Sequence, residues 1–148
     1  MAEGKAGEVA DSIALRDIRF GGNSALCPVE ARLEFDLDFE ALRPLRHAIW
    51  EIKYIVDTVR KRNIIVLGRT EETDYDGDSS LHFAIERVDV SHIKPSHLSN
   101  AGLLVCSLTE NGGADEVAEI NMVVQVTPQM RAGSNQEEFI RCIYSPLE

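Results

Sequence analysis

The stretch Ala31-Arg32-Leu33-Glu34-Phe35-Asp36-Leu37-Asp38-Phe39-Glu40 alternates apolar and charged residues without a break. A strict period of two marks a β-strand with one face in a core and the other in water. The wet face here is mostly acidic: Glu34, Asp36, Asp38 and Glu40. Upstream, Ser12 to Phe20 holds Ile13, Leu15, Ile18 and Phe20, a shorter strand candidate. The turn residues Gly21-Gly22-Asn23-Ser24 separate the two. Downstream, further candidates are Asn63 to Gly68, Leu81 to Val88, Ala101 to Thr109, Val117 to Thr127 and Phe139 to Tyr144. Glu71 to Ser80 and Pro128 to Gln136 are polar and turn-rich and are expected as loops.

Leu45 to Arg62 is ambiguous. Ile49, Ile52, Val56 and Val59 recur at helical spacing, while Trp50, Ile52, Tyr54 and Val56 recur at strand spacing. Pro44 could open a helix; Trp, Ile, Tyr and Val are also strand formers. The surrounding β-pattern favours a strand. The count is then about eight short strands separated by turn signals, the pattern of an antiparallel β-sandwich. No linker divides the chain, so residues 12–148 are expected to form one domain and residues 1–11 a loose tail.

The chain has 148 residues, a formal charge of −10 and 44% hydrophobic residues. That length can bury a real core without staples. The acidic balance argues against gripping nucleic-acid phosphates, which needs a basic footprint. It leaves room for basic protein partners. Cys27, Cys106 and Cys142 are odd in number and widely spaced, which fits a reducing compartment. Met1 to Asp11 has no apolar signal core, and no run approaches about 20 apolar residues. The expectation is an intracellular protein, nuclear or cytoplasmic, neither secreted nor membrane-bound.

Motifs for chemistry are sparse. Asp74-Tyr75-Asp76-Gly77-Asp78 resembles the start of a calcium loop. The positions that need glycine and glutamate are Ser79 and Ile85, so the match fails and a solvated acidic turn is expected. His92 and His97, with Asp89 nearby, lack further ligands at convincing spacing. No nucleophile elbow, phosphate loop, dinucleotide fingerprint or HExxH pair occurs. No cofactor, no metal and no catalytic residue is expected. Charge is segregated along the chain. Arg43 to Arg62 carries six basic residues against two acidic, and Arg69 to Asp78 one basic against five acidic. These are either solvated loops or two interaction patches of opposite sign.

Some segments are familiar. Leu33-Glu34-Phe35-Asp36-Leu37, followed by Trp50-Glu51-Ile52-Lys53-Tyr54-Ile55-Val56, resembles the strand pair of the anti-silencing-function histone chaperone family. That family reads F-E-I-T-F and then W-K-I-I-Y-V. Ile93-Lys94-Pro95 and the apolar run Gly102 to Thr109 resemble its I-P segment and the strand after it. Glu138-Phe139-Ile140-Arg141-Cys142-Ile143-Tyr144 resembles its E-F-I-R-V-G-Y strand. The resemblance implies an immunoglobulin-like β-sandwich and a strand over Glu51 to Asp57. It also implies binding of the tetramer-forming core histones as a heterodimer in an apolar groove. By position, Val105 falls on the groove valine with Leu103 beside it, Arg141 on a histone-contacting arginine and Tyr144 on a nearby aromatic.

The chain also departs from that pattern. The family is acidic before its tryptophan, where this chain reads Arg43-Pro44-Leu45-Arg46-His47, and acidic after its W-K-I-I-Y-V strand, where this chain reads Arg60-Lys61-Arg62. Gly112 to Gln136 adds a strand, and no counterpart of the family's final strand is found up to Glu148. Two readings result. One is a non-enzymatic histone-chaperone-like module using Leu103, Val105, Arg141 and Tyr144. The other is a structural subunit of a cytoskeletal or ciliary assembly that kept the sandwich. Its basic patch of Arg43, Arg46, Arg60, Lys61 and Arg62 would face an acidic surface such as that of tubulin.

Overall fold

The computed structural model describes residues 12–58, 60–99, 101–130, 133 and 135–147; the tail expected over residues 1–11 lies outside them. The fold is all-β and sandwich-like, with eight antiparallel strands. They are β1 (Ile13–Phe20), β2 (Leu26–Pro28), β3 (Leu33–Asp57), β4 (Arg62–Arg69), β5 (Thr73–Ile85), β6 (Gly102–Glu110), β7 (Asp115–Met130) and β8 (Glu137–Ile143). A one-turn helix, α1 (Pro95–Leu98), precedes β6. Among the described residues no helix is long and apolar enough to cross a membrane.

The alternating stretch from Leu33 to Glu40 and the strand that the resemblance implies over Glu51 to Asp57 belong to one bent strand of 25 residues, β3. Its first half pairs with β1 on one side and β5 on the other. Its second half pairs with β4 and β6, and that layer continues through β7 and β8 to β2. The bend lies between Ala41 and Ala48, where the register with β5 shifts twice and His47 adopts a φ of 52°. Bulges of this kind change which residues point inward. Before the bend the odd positions Leu33, Phe35, Leu37, Phe39 and Ala41 are buried; after it the even positions Ala48, Trp50, Ile52, Tyr54 and Val56 are. Without the shift, one half of β3 would turn its apolar side to water. Phe39 links the halves, edge-on to Trp50 at 5.4 Å and to Tyr75 at 5.1 Å.

Leu45 to Asp57 is strand, as the surrounding pattern favours, because neighbours flank it: β5 up to the bend, then β4 and β6 on either side. Two expectations are corrected. Thr73 to Ser80 is not a loop or an Asp-Gly turn but the first part of β5. Asp74, Asp76 and Asp78 are exposed there while Tyr75 packs on the core, so the alternation is real but its inward positions include glycine and serine. Gly77, at φ 70°, sits opposite Ala41. Finally, β7 runs to Met130, with Pro128 opposite Phe139, so the expected loop begins later. The strands are also not uniformly short, and the three-residue β2 carries no sequence pattern long enough to announce it.

Candidate functional site

The second layer has two faces. Leu104, Cys106 and Leu108 of β6, with Ile120, Met122 and Val124 of β7, point into the core. Burial there pushes the Cys106 thiol up to about 12, which leaves it protonated and inert. The alternate residues form the outer face. In register, Ile64 of β4 faces Ile55 of β3, Ile55 faces Leu103 of β6, and Leu103 faces Val123 of β7. Just past β8, the Tyr144 N–H donates to the Val123 carbonyl at 2.9 Å, adding an aromatic to the row. The next row holds Val66, Lys53, Val105 and Asn121.

This face is apolar and open. Ile64, Val66 and Val123 are each more than half exposed and Tyr144 is 48% exposed, whereas Leu103 is half-buried and Ile55 is only 8% exposed. Single exposed hydrophobics are ordinary; an apolar row that crosses four strands and ends on Tyr144 marks an interaction surface. At about 4.8 Å between strands the row spans roughly 20 Å. That is the length of a helix of about 13 residues. Glu51, Ser107 and Glu119 form a more polar row beyond it. Tyr144 is held by its hydroxyl, 2.9 Å from the Gln125 Oε1.

Leu103, Val105 and Tyr144 therefore meet on one face. Val105 is outward but only 1% exposed, between its register neighbours Lys53 and Asn121, so Leu103 and Val123 offer the accessible surface. Arg141 does not join them. It is opposite Val126 and Cys27 on the inner side and is 3% exposed. Its guanidinium donates to four carbonyls: Nε to Ser24 at 3.0 Å, Nη1 to Val29 and Ala31 at 2.9 Å, and Nη2 to Arg32 at 2.8 Å. Burial pulls its affinity for the proton below the ordinary value. Tyr54, buried nearby, is pushed up to about 12 for the same reason. Arg141 clamps the β1–β3 connection and has no fork to offer a partner.

The basic patch is largely spent inside the chain. Arg43 clasps Glu110 through both nitrogens at 3.2 and 2.7 Å, and Arg46 reaches Asp74 at 3.1 Å. Arg62 forks onto Asp57 at 2.7 and 3.0 Å. The backbone N–H of His47 and then Arg46 hold the Asp74 carboxyl below its usual range; Arg43 does the same for Glu110, and Arg62 for Asp57. The two segments of opposite charge thus meet each other at the β3 bend. Arg60 and Lys61 remain exposed at the β3–β4 turn, in none of the ion pairs among the described residues. Asp89 accepts hydrogen bonds from the Ser91 N–H and hydroxyl at 3.0 and 2.6 Å.

Ile55, Ile64, Val66 and Val123 were not singled out by sequence. A signal existed: Tyr54-Ile55-Val56, Ile64-Ile65-Val66, Leu103-Leu104-Val105 and Met122-Val123-Val124 are apolar on both parities, the mark of a strand covered on both faces. No protein-family model matches the chain, and no curated protein matches its sequence.

Proposed function

We propose that the chain is a non-enzymatic protein-binding module whose outer face takes an amphipathic helix of a core histone. The supporting observation is the open apolar row Ile64–Ile55–Leu103–Val123–Tyr144, long enough for a helix laid across the strands. The choice of a histone rests on the resemblance, whose groove positions fall on Leu103 and Val105, both on this face. Arg43, Arg46 and Arg62 are basic where the resembled family is acidic, and their internal pairing lowers the repulsion they would exert on a basic partner. Arg141 has no part in the interface.

Isothermal titration of the chain with purified core-histone heterodimer at low salt tests this. Binding that Val123→Asp weakens at least about tenfold supports the reading. Absent binding, or binding indifferent to Val123→Asp, rejects it. A second reading, a subunit of a cytoskeletal or ciliary assembly, keeps support from the exposed Arg60 and Lys61 at the β3–β4 turn. Co-sedimentation with microtubules that Arg60→Glu with Lys61→Glu abolishes is its signature.

A further inference from the structure

A cleft of about 340 Å³ lies away from the apolar row, between the β5–β6 connection and the start of β8. Its volume is at the low end of the roughly 300–1,000 Å³ of ligand-holding pockets. Val29, Val90, Ile93 and Leu98 line it and are each at most 5% exposed, and Phe139 adds an aromatic side. The Val29 N–H donates to the Phe139 carbonyl at 2.8 Å, so these two walls are fixed to each other. Among the described residues the polar lining is Glu30, Glu137, Glu138 and Ser91, with no lysine or arginine, and Glu138 already has an interaction of its own. Arg87 pins Glu30 through one oxygen at 3.3 Å. Pro28 and Pro95 also line the cleft and have no N–H to give an anion.

An apolar floor under a carboxylate rim suits one kind of group: a long aliphatic stem ending in a cation. We propose that this cleft docks a lysine side chain, flanked by apolar residues, on an extended segment of a partner protein. The stem lies along Ile93, Leu98 and Phe139, and the ammonium meets Glu137 and the Glu30 oxygen that Arg87 leaves open. This goes beyond the apolar-face reading and does not depend on it.

The probe is a fluorescein-labelled peptide, Gly-Ala-Leu-Lys-Leu-Ala-Gly, against its glutamine counterpart, read by anisotropy and by amide chemical shifts of the full chain. The expected result is tighter binding of the lysine peptide, with shifts at Val90 to Leu98 and at Phe139. Glu137→Gln weakens it by about threefold, as an exposed ion pair should. Asp76→Asn, a remote surface carboxylate, leaves it unchanged, which excludes a general effect of net charge. Val123→Asp also leaves it unchanged, which separates this site from the histone reading. Equal binding of the two peptides, shifts elsewhere, or equally tight binding of free butylamine would each overturn the proposal.

Discussion

The two halves of β3 bury similar cores and present opposite exteriors. Outside the first half, Glu40 meets Arg16, Asp38 meets Arg19 at 2.6 Å, and His82 stands 2.7 Å from Asp36. Outside the second half, Ile55 lies between Ile64 and Leu103, with Val123 beyond. The first exterior is finished, because these charges are in water with partners nearby. The second leaves apolar area in water that a partner could remove at about 25 cal/mol per Å². Strand, twist and core are shared, so the difference lies in outward side chains alone. It locates function where the fold does not require those residues.

The largest test of this contrast is Arg141. As an inward clamp, Arg141→Leu leaves four carbonyls short of a donor and costs about 3–5 kcal/mol in denaturant unfolding. Arg141→Lys does not restore it, since one ammonium cannot span the fork. A loss of histone binding at unchanged stability would instead return Arg141 to the interface. Next comes Val123→Asp on the open exterior. It changes unfolding free energy by no more than about 0.5 kcal/mol while removing partner binding. Large destabilisation there would mean that the row is core.

Acid probes the bend that separates the halves. Asp74 and Glu110 have folded-state affinities for protons below their ordinary values. A depressed carboxylate stabilises the fold above its unfolded value and loses that contribution as pH falls. Stability should therefore hold above about pH 5 and decline below about pH 4. Asp74→Asn with Glu110→Gln should flatten that decline, as a pH series of thermal melts would show. The smallest effect is on the finished exterior. Asp38→Asn removes the Arg19 pair, and because both side chains are in water the melting temperature should barely move.

Much of the fold was legible because alternation is local. Leu33 to Phe39 announced a half-buried strand, whereas Trp50 to Val56 fitted helix and strand alike until its β neighbours were weighed, and nothing local said that the two are one strand. The bend depends on a positive φ at His47 and on pairing with residues about 30 positions away. The first part of β5 was hidden because Gly77 and Ser79 occupy inward places that apolar residues usually fill. The site was half legible. Leu103 and Val105 are two apart and share a face, as they must. Arg141 and Tyr144 are three apart, so a period of two already sets them on opposite sides. The charge pairing of Arg46 with Asp74 needed the register of β3 against β5.

The most direct measurement is a titration of methyl-labelled chain with core-histone heterodimer, followed by NMR. Shifts are expected at Ile55, Ile64, Leu103, Val105 and Val123, with Ala14 and Ala84 of β1 and β5 unmoved. Shifts confined to the first-half exterior, or no shifts at saturating histone, would contradict it.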